Sequence, residues 1–138
     1  MDNPPERMPT PSDKAWAAGF FDGEGYVGHS RHTSGNKGPS RDKRYRCVSV
    51  QVTQNDPRVL ERFREIVGVG VVGGPYYSDK RRNRQGLSPM FKFHTSGLPS
   101  VTHIYDCLYD FLSPVKRQQF EKSLLWFYAS PVGSSTPV

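Results

Sequence analysis

Glu24 stands between Gly23 and Gly25 at the end of the run Ala17-Ala18-Gly19-Phe20-Phe21-Asp22. Ala18 and Gly19 are small enough to let a second helix backbone approach, and Trp16, Phe20 and Phe21 supply apolar bulk around them. Glycine tolerates a positive φ, so the Gly-Glu-Gly ending predicts an easy exit from the helix. A carboxylate delivered at the end of a tightly packed helix is held rigidly, and metal-dependent chemistry requires that rigidity. A second group of residues suits recognition. Along Arg44 to Thr53, Val48, Val50 and Val52 point one way, and Cys47, Ser49, Gln51 and Thr53 point the other. Short polar side chains of this kind hydrogen-bond base edges, although an ordinary half-exposed sheet shows the same alternation.

Charge points in the same direction. The 138 residues carry a formal net charge of +6 with a pI near 9.5, which favours an anionic partner, nucleic acid ahead of a membrane surface. The basic residues cluster as Arg41, Lys43, Arg44 and Arg46, and again as Lys80, Arg81, Arg82 and Arg84. Solvated loops are the alternative reading of both clusters. No stretch is apolar for long enough to cross a bilayer, and the Pro-rich start lacks the apolar segment of a signal peptide. Cys47 and Cys107 are too few and too far apart for a zinc site or a disulfide framework. They read as reduced packing residues of an intracellular protein. His29, His32, His94 and His103 lack close metal-ligand spacing and read as surface or contact residues.

The elements that must position these residues follow from caps and periodicity. A loose arm is expected over 1–11, one domain over 12–129 and a disordered Pro/Ser/Gly tail over 130–138. Ser12 or Asp13 caps a first helix from about Lys14 to Asp22. Strands follow over Tyr26–Arg31 and Arg44–Thr53, separated by a loop from Thr33 to Asp42. Asp56 caps a second helix with Pro57 in its first turn and Gly68 at its end, and Val59, Leu60, Phe63, Ile66 and Val67 form its apolar face. Val69–Tyr77 and Leu87–His94 make a second strand pair joined by the basic loop Ser78–Gly86. A helix from Leu98 to Phe111 buries Val101, Ile104, Tyr105, Leu108 and either Phe111 or Leu112. Ser113 and Pro114 start a last helix to about Tyr128, carrying Phe120, Leu124, Leu125 and Phe127. The order predicts an α+β layer, with a curved antiparallel sheet backed by helices and exposing its polar face to a DNA groove.

The run Ala17 to Gly25 resembles the LAGLIDADG motif of homing endonucleases, in a variant ending Phe-Phe-Asp-Gly-Glu-Gly. The likeness extends to Gln51-Val52-Thr53-Gln54, to Asp56-Pro57 and the helix ending Val67-Gly68-Val69-Gly70, and to Phe111-Leu112 through Lys116 and Gln118 or Gln119. It covers about Lys14 to Phe127. The resemblance implies an αββαββα fold and, from a single motif copy, a homodimer joined through the first helix at Trp16, Ala18, Gly19 and Asp22. Asp22 is read as structural, holding the helix end or the partner's helix start. The family acid matches Glu24, with Glu where many members have Asp, and the Gly23 carbonyl matches a second metal-ligand position.

The resemblance further implies Mg²⁺ as cofactor, with Mn²⁺ able to substitute, and cleavage of a long pseudo-palindromic double-stranded DNA site to leave 3′ overhangs. Gln54 matches a water-orienting residue, with capping of the turn before Asp56 as its ordinary role. Lys116 matches a residue supporting the active-site phosphate, with Arg117 as competitor. Candidates for base contact are Ser30, His32, Tyr45, Ser49, Gln51, Thr53 and Lys92. Candidates for phosphate contact are Arg41, Lys43, Arg44, Arg81, Arg82 and Arg84. A cleavage-deficient member acting as an RNA-splicing maturase or DNA-binding regulator is the alternative, which makes intron RNA a possible partner. The location expected is a bacterial or phage-host cytoplasm, or an organelle.

Overall fold

Thr10 opens the first helix. Its hydroxyl accepts from the Asp13 amide at 3.0 Å, and the Asp13 carboxylate accepts from the Thr10 amide at 3.0 Å. This capping box, with Pro11 in the first turn, starts helix α1 (Pro11–Glu24) ahead of the Ser12 or Asp13 cap expected. The helix also runs past Asp22, so that Glu24 is its last residue. Strand β1 (Gly25–Thr33) follows without a linker. Then come β2 (Arg44–Gln54), α2 (Pro57–Val67), β3 (Val71–Tyr76), β4 (Met90–Ser96), α3 (Leu98–Leu108) and α4 (Pro114–Ala129). This computed structural model describes residues 8–33, 44–77 and 89–129, excluding the side chains of His32, Thr33, Arg44, Tyr45 and Ala129. Residues 1–7 of the expected arm, the tail over 130–138, the segments 34–43 and 78–88, and with them Arg41, Lys43, Arg81, Arg82 and Arg84, lie outside the described residues, while the end of the expected arm forms the capped start of α1.

Asp56 and Gly68 bound α2 as expected. The Asp56 carboxylate accepts from the Arg58 amide at 2.9 Å, and Gly68 takes a left-handed φ of 79° while its amide donates to the Arg64 carbonyl at 2.7 Å. Helix α3 stops at Leu108 rather than Phe111, because the chain tightens into a 3-10 turn over Tyr109–Phe111. That turn buries Leu112 and leaves Phe111 exposed, which settles the alternative between them.

The sheet is antiparallel throughout, in the order β1-β2-β4-β3, and β1 and β3 are its edges. Val27, Val48, Val50, Val52 and Phe93 are buried on one face, under the helices. Four aromatic rings tie the layers together. Phe21 of α1 stacks on Phe63 of α2 at 6.0 Å and meets Phe120 of α4 at 5.6 Å, while Phe63 meets Phe93 of β4 edge-on at 5.0 Å. Each is fully buried, and each contributes roughly 1.5–3 kcal/mol from removal of apolar surface. Val59 and Tyr105 are half-buried, not core. Leu125 is 64 % exposed, because the α4 surface that meets the sheet passes instead through Phe120 and Ser123.

Candidate active site and nucleic-acid interface

Helix α1 ends where α4 begins, and hydrogen bonds lock the two together. Both carboxylate oxygens of Asp22 accept from the Ser113 amide, at 3.1 and 3.2 Å. The Ser113 hydroxyl accepts in turn from the Lys116 amide at 3.2 Å, capping α4. Lys116 then reaches back, donating from Nζ to the Gly25 carbonyl at 2.8 Å and to Gln119 Oε1 at 3.1 Å, with its ammonium 5.6 Å from the centre of the Phe21 ring. A cation is therefore fixed one residue beyond Glu24. Glu24 itself is exposed and makes no hydrogen bond or ion pair among the described residues.

The glycines around Glu24 work differently from the expectation. Gly25 has φ −90° and ψ 159°, ordinary extended backbone. Its role is close approach, since a Cβ there would lie 2.1 Å from the Phe21 ring. Gly23 is exposed, and a Cβ there would meet nothing within 4 Å.

The residues expected at the helix seam divide. Ala18 is fully buried within this chain, together with Ala17. Trp16 stacks on Phe20 at 5.3 Å beneath the Arg62 guanidinium, 4.0 Å from the ring centre, and Asp22 is occupied by Ser113 of the same chain. Gly19 alone of the four is exposed, on the face shared with Pro11, Ala15 and Gly23. The alternation of small and apolar residues signals a packing helix, but which of two adjacent small residues faces inward depends on how the helix is rotated over the sheet.

Gln54 ends β2 on the helix-facing side. It lies two residues beyond Val52, which pairs with Gly25, so it sits at the α1 end of the sheet. The turn before α2 is capped by Asp56, and the Gln54 amide has no side-chain hydrogen bond among the described residues. Arg117, the competitor of Lys116, donates instead to the Tyr109 carbonyl at 3.0 Å.

The opposite sheet face is the polar one. Cross-strand partners place Ser30 beside Cys47, Ser49 beside Ser96, Gln51 between Tyr26 and His94, and Thr53 beside Lys92. Ser30, Ser49, Gln51, Thr53 and Lys92 thus share one surface, and backbone pairing carries His32 and Tyr45 to its far end. Tyr26 and Tyr76 also join this surface, as does His94, which the sequence marks only as a surface or contact residue. Tyr26 lies over Gly28 and Tyr76 over Gly73, where a Cβ would come within 2.3 and 2.9 Å of the respective hydroxyls. Period-two alternation carried through Tyr26-Val27-Gly28 and Lys92-Phe93-His94 is the signal that could have found Tyr26 and His94.

Among the described residues no three His, Cys, Asp or Glu side chains form a metal-binding group. Another opening, a cleft of about 760 Å³, is lined by Lys14, Arg64, His103 and Cys107 among others, near the N-terminal end of α1 and away from Glu24. Its wall is structural, since His103 Nε2 donates to the Val67 carbonyl at 2.9 Å, and burial raises the Cys107 thiol above its ordinary value.

No protein-family model and no curated protein matches the sequence. Solved structures do match. The homing endonuclease I-CvuI, in complex with an I-CreI target and Mg with the DNA uncleaved, is 23 % identical with a TM-score of 0.65, over 88 % of this chain and 69 % of that one. I-CeuI complexed with DNA is 19 % identical with a TM-score of 0.59, over 90 % of this chain and 58 % of that one. The LAGLIDADG endonuclease I-GzeII, in complex with its DNA target, is 24 % identical with a TM-score of 0.61, over 98 % of this chain and only 43 % of that one. The order of helices and strands and the antiparallel sheet are theirs. This chain has the fold of the LAGLIDADG homing endonucleases.

Proposed function

We propose that this chain is a homodimeric, Mg²⁺-dependent homing endonuclease that hydrolyses both strands of a long pseudo-palindromic DNA site and leaves 3′ overhangs. The observation that carries the proposal is an exposed, uncommitted Glu24 carboxylate next in sequence to the Gly25 carbonyl on which Lys116 is fixed, at one end of a polar sheet face. The dimer seam fits the exposed α1 face of Ala15, Gly19 and Gly23, where added Cβ atoms at the two glycines meet nothing within the subunit and two backbones can approach closely.

One subunit supplies a single carboxylate, and two Glu24 side chains across a two-fold axis supply the oxygen donors that Mg²⁺ favours, alongside DNA phosphates and water. A helix C-terminus carries partial negative charge, so α1 adds to the attraction for a cation at Glu24 and the Gly23 carbonyl. The residues fit the ion. Bound there, Mg²⁺ would neutralise phosphate charge and acidify a water. Lys116 holds the Gly25 carbonyl and with it the direction of Glu24, and its ammonium offers positive charge beside a phosphate. The uncommitted Gln54 amide can accept from and donate to a water, orienting it for in-line attack. Ser49, Gln51, Thr53 and Lys92 read base edges while Lys and Arg side chains bind the backbone.

Glu24→Gln tests the site. Loss of several kcal/mol of transition-state stabilisation corresponds to at least about a 10³-fold fall in cleavage, with DNA affinity held within a few-fold. Cleavage at the wild-type rate in a plasmid-library assay would remove Glu24 from the mechanism.

A further inference from the structure

At the other end of β1 and β2, Arg46 and His29 meet one indole, with Arg31 beside Arg46 and Lys122 close to His29. Arg31 and Arg46 are direct cross-strand partners on the helix-facing side. The Arg46 guanidinium sits 5.3 Å from the centre of the Trp126 ring on α4, and the His29 ring stacks on the same indole at 4.3 Å. His29 Nδ1 and the buried Ser123 hydroxyl share a hydrogen bond of 2.9 Å, and Lys122 adds charge close enough to depress the imidazole further, after loss of hydration. Among the described residues no carboxylate pairs with this group, the ion pairs being Asp56–Arg58 and Glu61–Arg64 elsewhere.

The arrangement is costly as it stands. Like charges directly opposite on neighbouring strands repel. Arg46 Nε is buried with no hydrogen-bond partner, and stacking on Trp126 does not supply one. An anion with several acceptor oxygens, held by the guanidinium ends, would relieve the repulsion, and a guanidinium matches phosphate geometry best of all side chains.

We propose that Arg31, Arg46 and Lys122, at the Trp126 end of β1 and β2, form a phosphate-binding subsite that takes the backbone of nucleic acid bound to the sheet. It rests on the nucleic-acid reading of the polar face but lies on the opposite side of edge strand β1. From Gly25 to Arg31 at about 3.3 Å per residue, the subsite stands roughly 20 Å from the Glu24 end. That spans about six base pairs along one DNA strand at 3.4 Å each. The subsite therefore grips the flank of the target, where the duplex passes the sheet edge, and adds affinity and orientation without reading sequence.

Trp126 reports on the subsite directly once Trp16→Phe has removed the second tryptophan. The probes are a random-sequence 24-base-pair duplex and inorganic phosphate alone, each titrated into the full chain at several salt concentrations. The duplex is expected to change Trp126 emission saturably. Arg31→Gln and Arg46→Gln are each expected to abolish that change and to lower the slope of log affinity against log salt by about one, with Arg46→Lys recovering most of the slope. Unchanged affinity and slope in both Gln variants would overturn the subsite, as would saturation by inorganic phosphate while the duplex leaves Trp126 silent. If the duplex fails to bind even the wild-type chain, the nucleic-acid reading falls with it. A steep wild-type salt slope matched by the variants removes the subsite alone.

Discussion

The two ends of the β1–β2 ladder carry uncompensated charge of opposite sign, and they reach it by opposite means. At the Glu24 end nearly every polar group is committed: Asp22 to Ser113, Ser113 to Lys116, and Lys116 to Gly25 and Gln119. The completed network isolates one carboxylate and points it outward. At the Trp126 end the network is incomplete, with Arg46 Nε unpaired and cations crowded together. Full satisfaction makes a rigid site suited to chemistry, where small misplacement is expensive. Incomplete satisfaction makes a site that gains by binding. Between the two lies the polar ladder, whose neutral side chains suit recognition.

Four substitutions break or sharpen that contrast. Phe21→Ala removes the ring under Gly25 and beneath Lys116, and is expected to cost about 3–5 kcal/mol in a denaturant titration. Next, Lys116→Met keeps the stem but frees the Gly25 carbonyl. Cleavage should fall about 10- to 100-fold, as for other residues that hold a ligand in place, with melting temperature nearly constant. Asp22→Ala strands the Ser113 amide and is expected to cost about 1–3 kcal/mol together with part of the Lys116 effect. An Asp22→Ala variant of normal stability and activity would mean that the α1–α4 lock does not position the site.

The smallest effect belongs to the Trp126 end and is a pH dependence. Burial and then Lys122 hold the His29 imidazole below its ordinary value of 6.5, so the unfolded chain binds the proton more tightly. The stabilising contribution is full above pH 6.5 and declines as pH falls towards the lower folded value. Loss of hydration and the Lys122 ammonium both disfavour the imidazolium, which gives the shift its sign. His29→Gln is expected to flatten this slope in melting curves between about pH 5 and 7. A slope unchanged in the variant would assign the titration elsewhere.

Sequence patterning disclosed the order of elements because each depends on local signals, such as Asp56-Pro57 and Gly68 around α2 or the Val48-Val50-Val52 alternation. Resemblance marked Glu24, Gln54 and Lys116 as candidates, and the reach of Lys116 to the Gly25 carbonyl beside Glu24 needed the fold. Two kinds of feature stayed hidden. The rotation of α1 decides that Ala18 goes inside and Gly19 outside, and both residues are equally small. The cluster at Trp126 joins residues 29, 31, 46 and 126, which come together only through strand register and the seating of α4 on β1. The early 3-10 ending of α3 is likewise a tertiary effect, set by where Leu112 must be buried.

On the proposed function, Glu24 and Lys116 serve metal-dependent cleavage of a specific duplex. Selection of cut molecules from a randomised DNA library, with Mg²⁺ and with EDTA, tests it most directly. Enrichment of one pseudo-palindromic sequence with 3′ overhangs is expected, only with Mg²⁺ and only with Glu24 intact. A library left uncut with Mg²⁺, or cut equally in EDTA, would contradict it.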